Sequence, residues 1–252
     1  MKSTGELEWL HFIRDYELSR AFAHFPRDAD AQVLEIGSGT GYMLGKIRER
    51  FPRAVGLEVE GSAYASADSS INLYDGRTIP YPDGQFDLVF SSHVLEHVYD
   101  LPGFLREVRR VLKESGSAVH IIPSPTWRIL TSVMHYAALT RMGVSAFRHS
   151  NRQMIRSDAR RASLFQKAKF ILYAPRHGER GNVVTEIFQF NHRRWCRAFE
   201  EAGFAVASVG GTGVVYWGRD VFRRSLPLGW REWFAGLIGS SSTIYCMQNG
   251  HE

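Results

Sequence analysis

Cysteine is scarce in this chain, with only Cys196 and Cys246 among 252 residues. Two cysteines are too few for a disulfide framework, and these two lack the paired spacing of metal-binding motifs. The N-terminal residues 6–15 mix charged and apolar side chains, so they form neither the apolar core of a signal peptide nor a transmembrane run. We therefore expect a cytoplasmic protein, and we expect no metal site.

The chain also lacks a large excess of charge of either sign, because 31 Lys and Arg residues face 26 Asp and Glu residues. Most of the basic excess is concentrated in residues 141–180. A basic stretch of this kind binds nucleic acid, an anionic lipid surface or an acidic small substrate, and an ordinary solvated surface has the same composition. With 44% hydrophobic residues, the chain can fill the core of one α/β domain.

A glycine-rich turn, with Gly37, Gly39 and Gly41, directly follows the apolar run 33–36. Glycine at these positions lets the backbone adopt conformations that side chains disfavour, and it lets a ligand approach the main chain closely. The next segment has the pattern of a helix whose first N–H groups face the turn, which favours an electronegative ligand. Dinucleotide-binding enzymes use a similar turn, but their third glycine stands where this chain has Tyr42.

Three further segments have the pattern of strands that end in polar residues. Residues 54–58 end in a carboxylate about twenty residues after the turn, where a parallel βαβ unit places an acceptor for ribose hydroxyls. Residues 72–76 end in an acid and a glycine. Residues 81–98 contain a fourth apolar strand that leads into a run of serine and histidine.

Together these segments resemble the class I S-adenosylmethionine-dependent methyltransferases over residues 32–123. The resemblance implies that S-adenosylmethionine is the cofactor, with S-adenosylhomocysteine as its product. It implies that the glycine turn holds the methionine end, that Glu58 accepts the ribose hydroxyls with Val59 beside the adenine, and that Asp75 accepts the adenine amino group. The cofactor-binding residues implied in this way are Glu35, Gly37, Ser38, Gly39, Gly41, Glu58, Val59, Asp75, Gly76, Ser92 and His93.

Strand and helix patterns alternate along most of the chain, which predicts a Rossmann-like α/β fold, with a doubly wound, mostly parallel sheet and helices on both faces. Seven strands are predicted, and the resemblance implies that the last one runs antiparallel to the rest. The predicted strands are 32–36, 54–58, 71–74, 86–91, 117–122, 204–209 and 242–247, and the predicted helices are 7–25, 42–50, 62–69, 101–113 and 190–202.

The same patterns divide the chain into three regions. We expect residues 1–30 to form a helical cap over the cofactor cleft, and residues 31–123 and 186–252 to form the cofactor-binding domain. Residues 124–185, where the alternation stops, are expected to be an inserted substrate or lid region. Within it, residues 127–147 carry apolar and aromatic side chains at roughly helical spacing, which indicates a lid helix or, as the alternative, a peripheral membrane contact.

Histidines are the candidate catalytic residues. Methyl transfer from a sulfonium chiefly requires alignment of the nucleophile and exclusion of water, so a base is optional. If the acceptor is a hydroxyl group, a histidine is suited to take its proton. His93 is the first candidate because a strand end carries it, His97 lies one helical turn later, and His177 belongs to a polar loop; a structural role is the alternative for each.

These expectations lead to a cytoplasmic methyltransferase with a small-molecule acceptor, such as an oxygen of a sugar, of a lipid-linked compound or of another secondary metabolite. One alternative is a nucleic-acid methyltransferase that uses the basic insertion. Nucleic acid is the less favoured partner, because the amino-methylating signature of an acid or asparagine, two prolines and an aromatic residue is missing after the fourth strand. The other alternative is a non-catalytic protein that binds the cofactor as a sensor or scaffold. The oligomeric state is left open by the sequence.

Overall fold

The computed structural model describes residues 4–62, 70–148, 177, 183–216 and 226–250. Within these ranges the chain forms one seven-stranded sheet flanked by helices. The strands are β1 (Val33–Ile36), β2 (Val55–Val59), β3 (Ile71–Tyr74), β4 (Phe86–Ser92), β5 (Leu112–Pro123), β6 (Phe204–Gly211) and β7 (Ser242–Asn249). The helices are α1 (Thr4–Ala21), α2 (Tyr42–Arg48), α3 (Leu101–Val111), α4 (Pro125–Arg148), α5 (Val183–Gln189), α6 (His192–Glu201) and α7 (Leu228–Ile238). The helix predicted over 62–69 lies, after residue 62, outside the described residues.

The strands lie side by side in the order β3-β2-β1-β4-β5-β7-β6. Strands β1 to β5 pair in parallel, whereas β7 pairs antiparallel with both β5 and β6. The Rossmann-like sheet, its seven strands and its antiparallel last strand are therefore confirmed.

The order of the strands reverses between β1 and β4. The chain runs outward from β1 through β2 to β3 and then returns to add β4 on the other side of β1. A reversal of this kind opens a crevice at the carboxyl ends of the two central strands, and ligands of open α/β sheets bind there. The glycine turn follows β1 and His93 follows β4, so the topology brings them to the same edge of the sheet.

The sheet is covered on both faces, as the alternating pattern predicts. Val33 packs in a cluster with Leu18 of α1 and Leu44 of α2, whereas the next residue of β1, Leu34, packs in a second cluster with Phe104 of α3. Successive residues of a strand point to opposite faces, so the two clusters are the two hydrophobic layers of the molecule. A strand buried on both faces needs a continuous apolar run, which explains why β1 is apolar apart from one glutamate.

Several predicted boundaries differ from the observed ones: the α-helix predicted over 7–25 spans Thr4–Ala21, the helix predicted over 42–50 ends at Arg48, and the strand predicted to begin at residue 117 begins at Leu112. Helix α3 ends at Val111 rather than at residue 113, because Leu112 is extended and already pairs with Phe86 as the start of β5. The helix predicted over 190–202 begins at His192, because Asn191 caps it by accepting a hydrogen bond from the backbone N–H of Arg193. The separate helix α5 precedes this cap.

Helix α4 lies where the apolar spacing of residues 127–147 predicts a helix. One buried residue, Arg128, forms an ion pair of 3.2 Å with Glu186 of α5, while Ile129, Val133 and Tyr136 are exposed. No helix in the described ranges is both long and apolar enough to cross a bilayer. Most of the basic stretch 141–180 lies outside the residues whose side chains are described, and the lid and membrane-contact roles stay predictions.

Candidate functional site

The glycine turn after β1 has the backbone that its sequence predicts. Gly37, Gly39 and Gly41 have φ angles of 78°, 51° and 79°, in the left-handed region that residues with a Cβ rarely adopt. A Cβ added to Gly37 would also overlap a methyl group of Val94. The backbone N–H groups of Gly37 and Ser38 donate to the carbonyl of Leu57 at 2.8 and 3.2 Å, which fixes the turn against β2.

The end of β2 places the predicted ribose acceptor at this turn. One oxygen of the Glu58 carboxylate accepts a hydrogen bond of 2.6 Å from the backbone N–H of Gly39. The next residue, Val59, exposes 39% of its surface, and a Cβ on Gly76 would lie 3.6 Å from its methyl groups. Val59 and Gly76 therefore lie side by side next to Glu58, and the two residues are called the shelf below.

Asp75 closes the turn that follows β3. Its Oδ1 accepts hydrogen bonds from the backbone N–H groups of Arg77 and Thr78 at 2.8 and 2.9 Å. The bond from Thr78, and then that from Arg77, lowers the pKa of the Asp75 carboxyl, which stays ionised and exposed. The structure thus brings Asp75 near the shelf of Val59 and Gly76 through the pairing of β2 with β3.

Glu35 lies in β1, two residues before Gly37, with 2% of its surface exposed. Burial, and then the negative charge of Glu58, raise the pKa of Glu35 to about 7. The hydroxyl of Ser38 donates to the backbone carbonyl of Glu35 at 3.2 Å. Glu35 and Ser38, both predicted to bind the cofactor, therefore support the turn from within.

Helix α1 lies across the carboxyl ends of β1 and β4. Its Asp15 accepts a hydrogen bond of 2.7 Å from the hydroxyl of Tyr42, and His11 stacks on the same tyrosine with ring centroids 3.6 Å apart. Arg14 reaches Ser92 at the end of β4, with 3.4 Å between Nη1 and Oγ. The N-terminal helix therefore covers the edge of the sheet at which the predicted site lies.

The same helix contributes Glu17, a fully buried carboxylate that sequence analysis does not single out. Both of its oxygens lie 3.2 Å from Nε2 of His93, and it accepts hydrogen bonds from Arg14 at 2.6 Å and from the hydroxyl of Tyr216 at 2.9 Å. The Tyr216 hydroxyl also bonds to Ser242 at the start of β7. Apart from Arg14, three residues earlier in the same helix, these partners lie far from Glu17 along the chain, so no local sequence pattern predicts them.

Burial alone would raise the pKa of the Glu17 carboxyl. The charges of His93 and Arg14, together with the hydrogen bond from His93, outweigh this effect and hold the pKa of Glu17 well below its usual range. Burial also raises the pKa of Tyr216 well above its usual range, so the hydroxyl stays protonated and donates a hydrogen bond to Glu17. Glu17 is therefore an ionised carboxylate held by three donors.

His93 links this carboxylate to a second one. Its φ angle of 57° is unusual for a residue with a side chain and turns the chain sharply at the end of β4. Nε2 faces Glu17, whereas Nδ1 lies 3.6 Å from Oε1 of Glu96. Burial and the charge of Arg14 would lower the pKa of His93, but the two glutamates raise it above its usual value.

Glu96 stands at the centre of the three predicted histidines. Besides His93, its Oε1 lies 4.0 Å from Nε2 of His97 and 3.7 Å from Nε2 of His177. Burial would raise the pKa of Glu96, but its interactions with His177 and His93, and then the charges of His93 and His97, lower it to about 2. The structure thus brings the three histidines together around a residue that the sequence analysis overlooked.

A separate cleft of about 970 Å³ lies at the opposite edge of the sheet. It is lined by residues just before β4 and β6, such as Gly84 and Gly203, and by residues of α3, such as Arg109. None of the predicted site residues lines it. The predicted site and this cleft are therefore distinct features of the molecule.

Comparison with known proteins identifies relatives. A family model described as a methyltransferase domain matches residues 9–209. Ajmaline N-methyltransferase from Rauvolfia serpentina is 30% identical over 125 residues, which cover 44% of this chain and 43% of that protein. Malonyl-[acyl-carrier protein] O-methyltransferase 1 from Coxiella burnetii is 33% identical over 86 residues, which cover 33% of this chain and 30% of that protein. The chain spans less than half the length of these curated relatives.

Solved structures show the same fold. An S-adenosylmethionine-dependent methyltransferase from Mesorhizobium loti superposes with a TM-score of 0.53 over 92% of this chain and 97% of that chain. The sequence identity is 16%, so this likeness concerns the fold alone.

Proposed function

The chain belongs to the methyltransferase-domain family, and we propose from this premise that it methylates a small-molecule acceptor. Membership of the family confirms the predicted class of enzyme and its cofactor, S-adenosylmethionine. The observation that carries the proposal is the convergence of the glycine turn, Glu58 and the shelf of Val59 and Gly76 at one edge of the sheet. Relatives in the family act on ajmaline and on malonyl-[acyl-carrier protein], according to their names. These acceptors support a small or carrier-linked molecule for this chain as well.

The residues at this edge fit the cofactor. The left-handed backbone of Gly37, Gly39 and Gly41 shapes the turn that would receive the methionine end. Glu58, at the end of β2, would accept the ribose hydroxyls. Val59 and Gly76 would flank the adenine, and Asp75 would accept its amino group, as the family resemblance implies.

When bound, S-adenosylmethionine supplies an electrophilic methyl group, so the residues of the chain need to align the acceptor and exclude water. Helix α1 would exclude water, because its contacts with Tyr42 and Ser92 place it over the carboxyl ends of β1 and β4. We propose that residues 1–30 form the cap and that 124–185 supply the rest of the acceptor pocket. The Arg128–Glu186 ion pair joins α4 to α5 beside His177 and supports this second assignment.

We propose an oxygen as the acceptor atom and the Glu17–His93 pair as the group that positions it. Glu17 lies 3.2 Å from Nε2 of His93 and fixes the orientation of the imidazole at the end of β4. His93 is the member of the pair that a hydroxyl acceptor would approach, because its side chain is 10% exposed whereas that of Glu17 is fully buried. The predicted role of His93 as the base itself stays a prediction.

Binding of S-adenosylhomocysteine, measured by calorimetry, tests the cofactor site. We expect Glu58→Ala to weaken binding at least tenfold, because it removes a carboxylate from the ribose hydroxyls, and these bonds to a charged group contribute about 1.5–3 kcal/mol. Glu49→Ala, which removes an exposed carboxylate from the surface next to α2, is the matched control and should bind normally. Full affinity in Glu58→Ala would contradict the assignment.

Incubation with labelled donor and a metabolite extract of the host tests the acceptor. We expect a labelled small molecule whose mass reveals the methylated compound. Label in RNA, with stimulation by RNA that falls steeply with salt, would replace the small-molecule proposal by the nucleic-acid alternative. Tight binding of S-adenosylhomocysteine without any labelled product would favour the sensor or scaffold alternative.

A further inference from the structure

Glu96 is a buried carboxylate without a hydrogen-bond partner in the described part of the chain. Its side chain is 1% exposed, and neither oxygen accepts a hydrogen bond from those residues. Burying an ionised carboxylate is costly unless an opposite charge or a metal ion compensates it. Glu96 lies four residues after the end of β4, in a short 3-10 helix (Leu95–His97) beside the proposed methyl-transfer site, so this cost calls for a functional explanation.

Besides His93, two further imidazoles face Glu96 at distances too long for hydrogen bonds. Nε2 of His177 and Nε2 of His97 lie 3.7 and 4.0 Å from Oε1, and one ligand atom from each of the three residues lies within 4.8 Å of the others. Nε2 of His177 is itself buried without a hydrogen-bond partner among the described residues. Around a tetrahedral zinc ion with bonds of about 2.1 Å, ligand atoms lie about 3.4 Å apart.

From this geometry we propose that Glu96, His97 and His177 bind a divalent transition-metal ion, with zinc as the best match. Two imidazoles and one carboxylate are a donor set that zinc accepts, and three protein ligands leave a coordination position open. Harder ions such as magnesium prefer oxygen ligands and are less suited to this set. The expectation of no metal site rested on cysteine spacing, whereas this site is made of glutamate and histidine.

The surroundings of His177 support the site. Its backbone N–H donates to Oε1 of Glu186 at 2.7 Å, and Glu186 forms the buried ion pair with Arg128. The ring of Trp127 packs edge-on against the imidazole with centroids 4.6 Å apart. Partners of this kind orient the ligands of metal sites. They hold His177 beside Glu96, which stands about eighty residues earlier in the sequence.

The position of the site assigns the metal a role, and this step rests on the proposed function. Val94, two residues before Glu96, packs against Gly37 of the glycine turn. A metal at Glu96 would therefore lie beside the methyl-transfer site, with its open position available to the acceptor. The class of acceptor that fits is one with a metal-binding oxygen, such as a hydroxyl next to a carboxylate or to a second hydroxyl. Coordination would orient that oxygen and lower its pKa.

Metal titration of the untagged 252-residue chain tests the proposal. After dialysis against a chelator, we expect one Zn²⁺ per chain by calorimetry, and Co²⁺ should give the intense visible absorption of a four- or five-coordinate ion. Glu96→Gln and His97→Ala should each weaken Zn²⁺ binding at least tenfold. The His97 side chain is 40% exposed, so His97→Ala should remain folded. His192→Ala, at an exposed histidine, is the control and should bind Zn²⁺ normally.

The absence of saturable Zn²⁺ and Co²⁺ binding by the folded protein would overturn the site. Unchanged affinity in both His97→Ala and Glu96→Gln would overturn it as well, because the metal would then bind elsewhere. Binding of S-adenosylhomocysteine to the same samples separates this proposal from the proposed function. Zinc binding without S-adenosylhomocysteine binding would retain the metal site and remove the proposed function, and the reverse result would remove the metal site alone.

Discussion

Three buried carboxyl groups, Glu17, Glu35 and Glu96, lie near the proposed site and differ in the direction of their pKa shifts. Burial raises the pKa of Glu35 to about 7, because the Ser38 hydrogen bond and the charge of Arg48 lower it by less than the loss of hydration raises it. Burial has the same tendency at Glu17 and Glu96, but nearby histidines reverse it. The protonation of each carboxyl is therefore set by its neighbours in the fold, and at neutral pH two of the three are fully ionised.

The Glu35 carboxyl makes a testable contribution to the pH dependence of stability. The usual pKa of this carboxyl is 4.5 and its pKa in the folded protein is about 7. The protonated carboxyl therefore stabilises the fold below pH 4.5, and this contribution to stability is lost as the pH rises through 7. Glu35→Gln has no proton to lose. Relative to the parent chain, we expect its free energy of unfolding to gain up to about 3 kcal/mol between about pH 4 and pH 8.

Urea unfolding of both proteins at several pH values measures this difference. The groups that face Glu35 are Glu58 on β2 and Arg48 on α2, and both are retained in the variant. Glu49→Gln, at an exposed position, is the control and should show no such trend. A stability difference that stays constant from pH 4 to pH 8 would refute the assigned shift.

At the scale of secondary-structure elements, α4 and α5 depend on each other through the ion pair of Arg128 and Glu186. The side chains are 1% and 0% exposed, so each charge compensates the other away from water. Removing one partner of a buried ion pair leaves an uncompensated charge and costs about 3–5 kcal/mol, whereas removing both with apolar residues costs far less. The pair therefore fixes how the two helices meet beside His177.

A double-mutant cycle tests this dependence. We expect Glu186→Leu and Arg128→Met each to lower the free energy of unfolding by about 3 kcal/mol, and the double variant to lose less than their sum by at least about 1 kcal/mol. Chemical denaturation of the four proteins gives the coupling energy. Strict additivity would mean that the two side chains do not compensate each other.

The elements differ in how far their sequences predicted them. Strands β1 and β4 are short apolar runs followed by turn residues, and these local patterns placed them correctly. The end of α3 was misplaced because the pairing of Leu112 with Phe86, a long-range contact, ends the helix early. The start of α6 was misplaced because the capping role of Asn191 was not recognised.

At the scale of the whole molecule, the proposed site is assembled from both ends of the chain. The carboxylate of Glu17, in α1, contacts His93, which follows β4, and Tyr216, which follows β6. Ser242 of β7 lies 3.4 Å from Nε2 of the same histidine. Ligand binding at this edge should therefore stabilise the complete fold, since a bound ligand lowers only the free energy of the native state.

This linkage can be measured by thermal and chemical unfolding. S-adenosylhomocysteine at about a hundred times its Kd should raise the free energy of unfolding by about 2.7 kcal/mol. Glu58→Ala, at the same ligand concentration, should gain at least about 1 kcal/mol less, because its occupancy is lower. Equal stabilisation of both proteins would indicate that the ligand binds away from Glu58.

The sequence by itself determined the alternation of strands and helices, the glycine turn and the strand-end carboxylates Glu58 and Asp75. These features depend on periodicity and on backbone conformation, which neighbouring residues encode. Only the tertiary structure decided that Glu17 joins His93 and that Glu96 lies among three histidines. Such contacts join residues far apart in the chain, and they arise because the reversal of strand order at β1 and β4 collects separate segments at one edge.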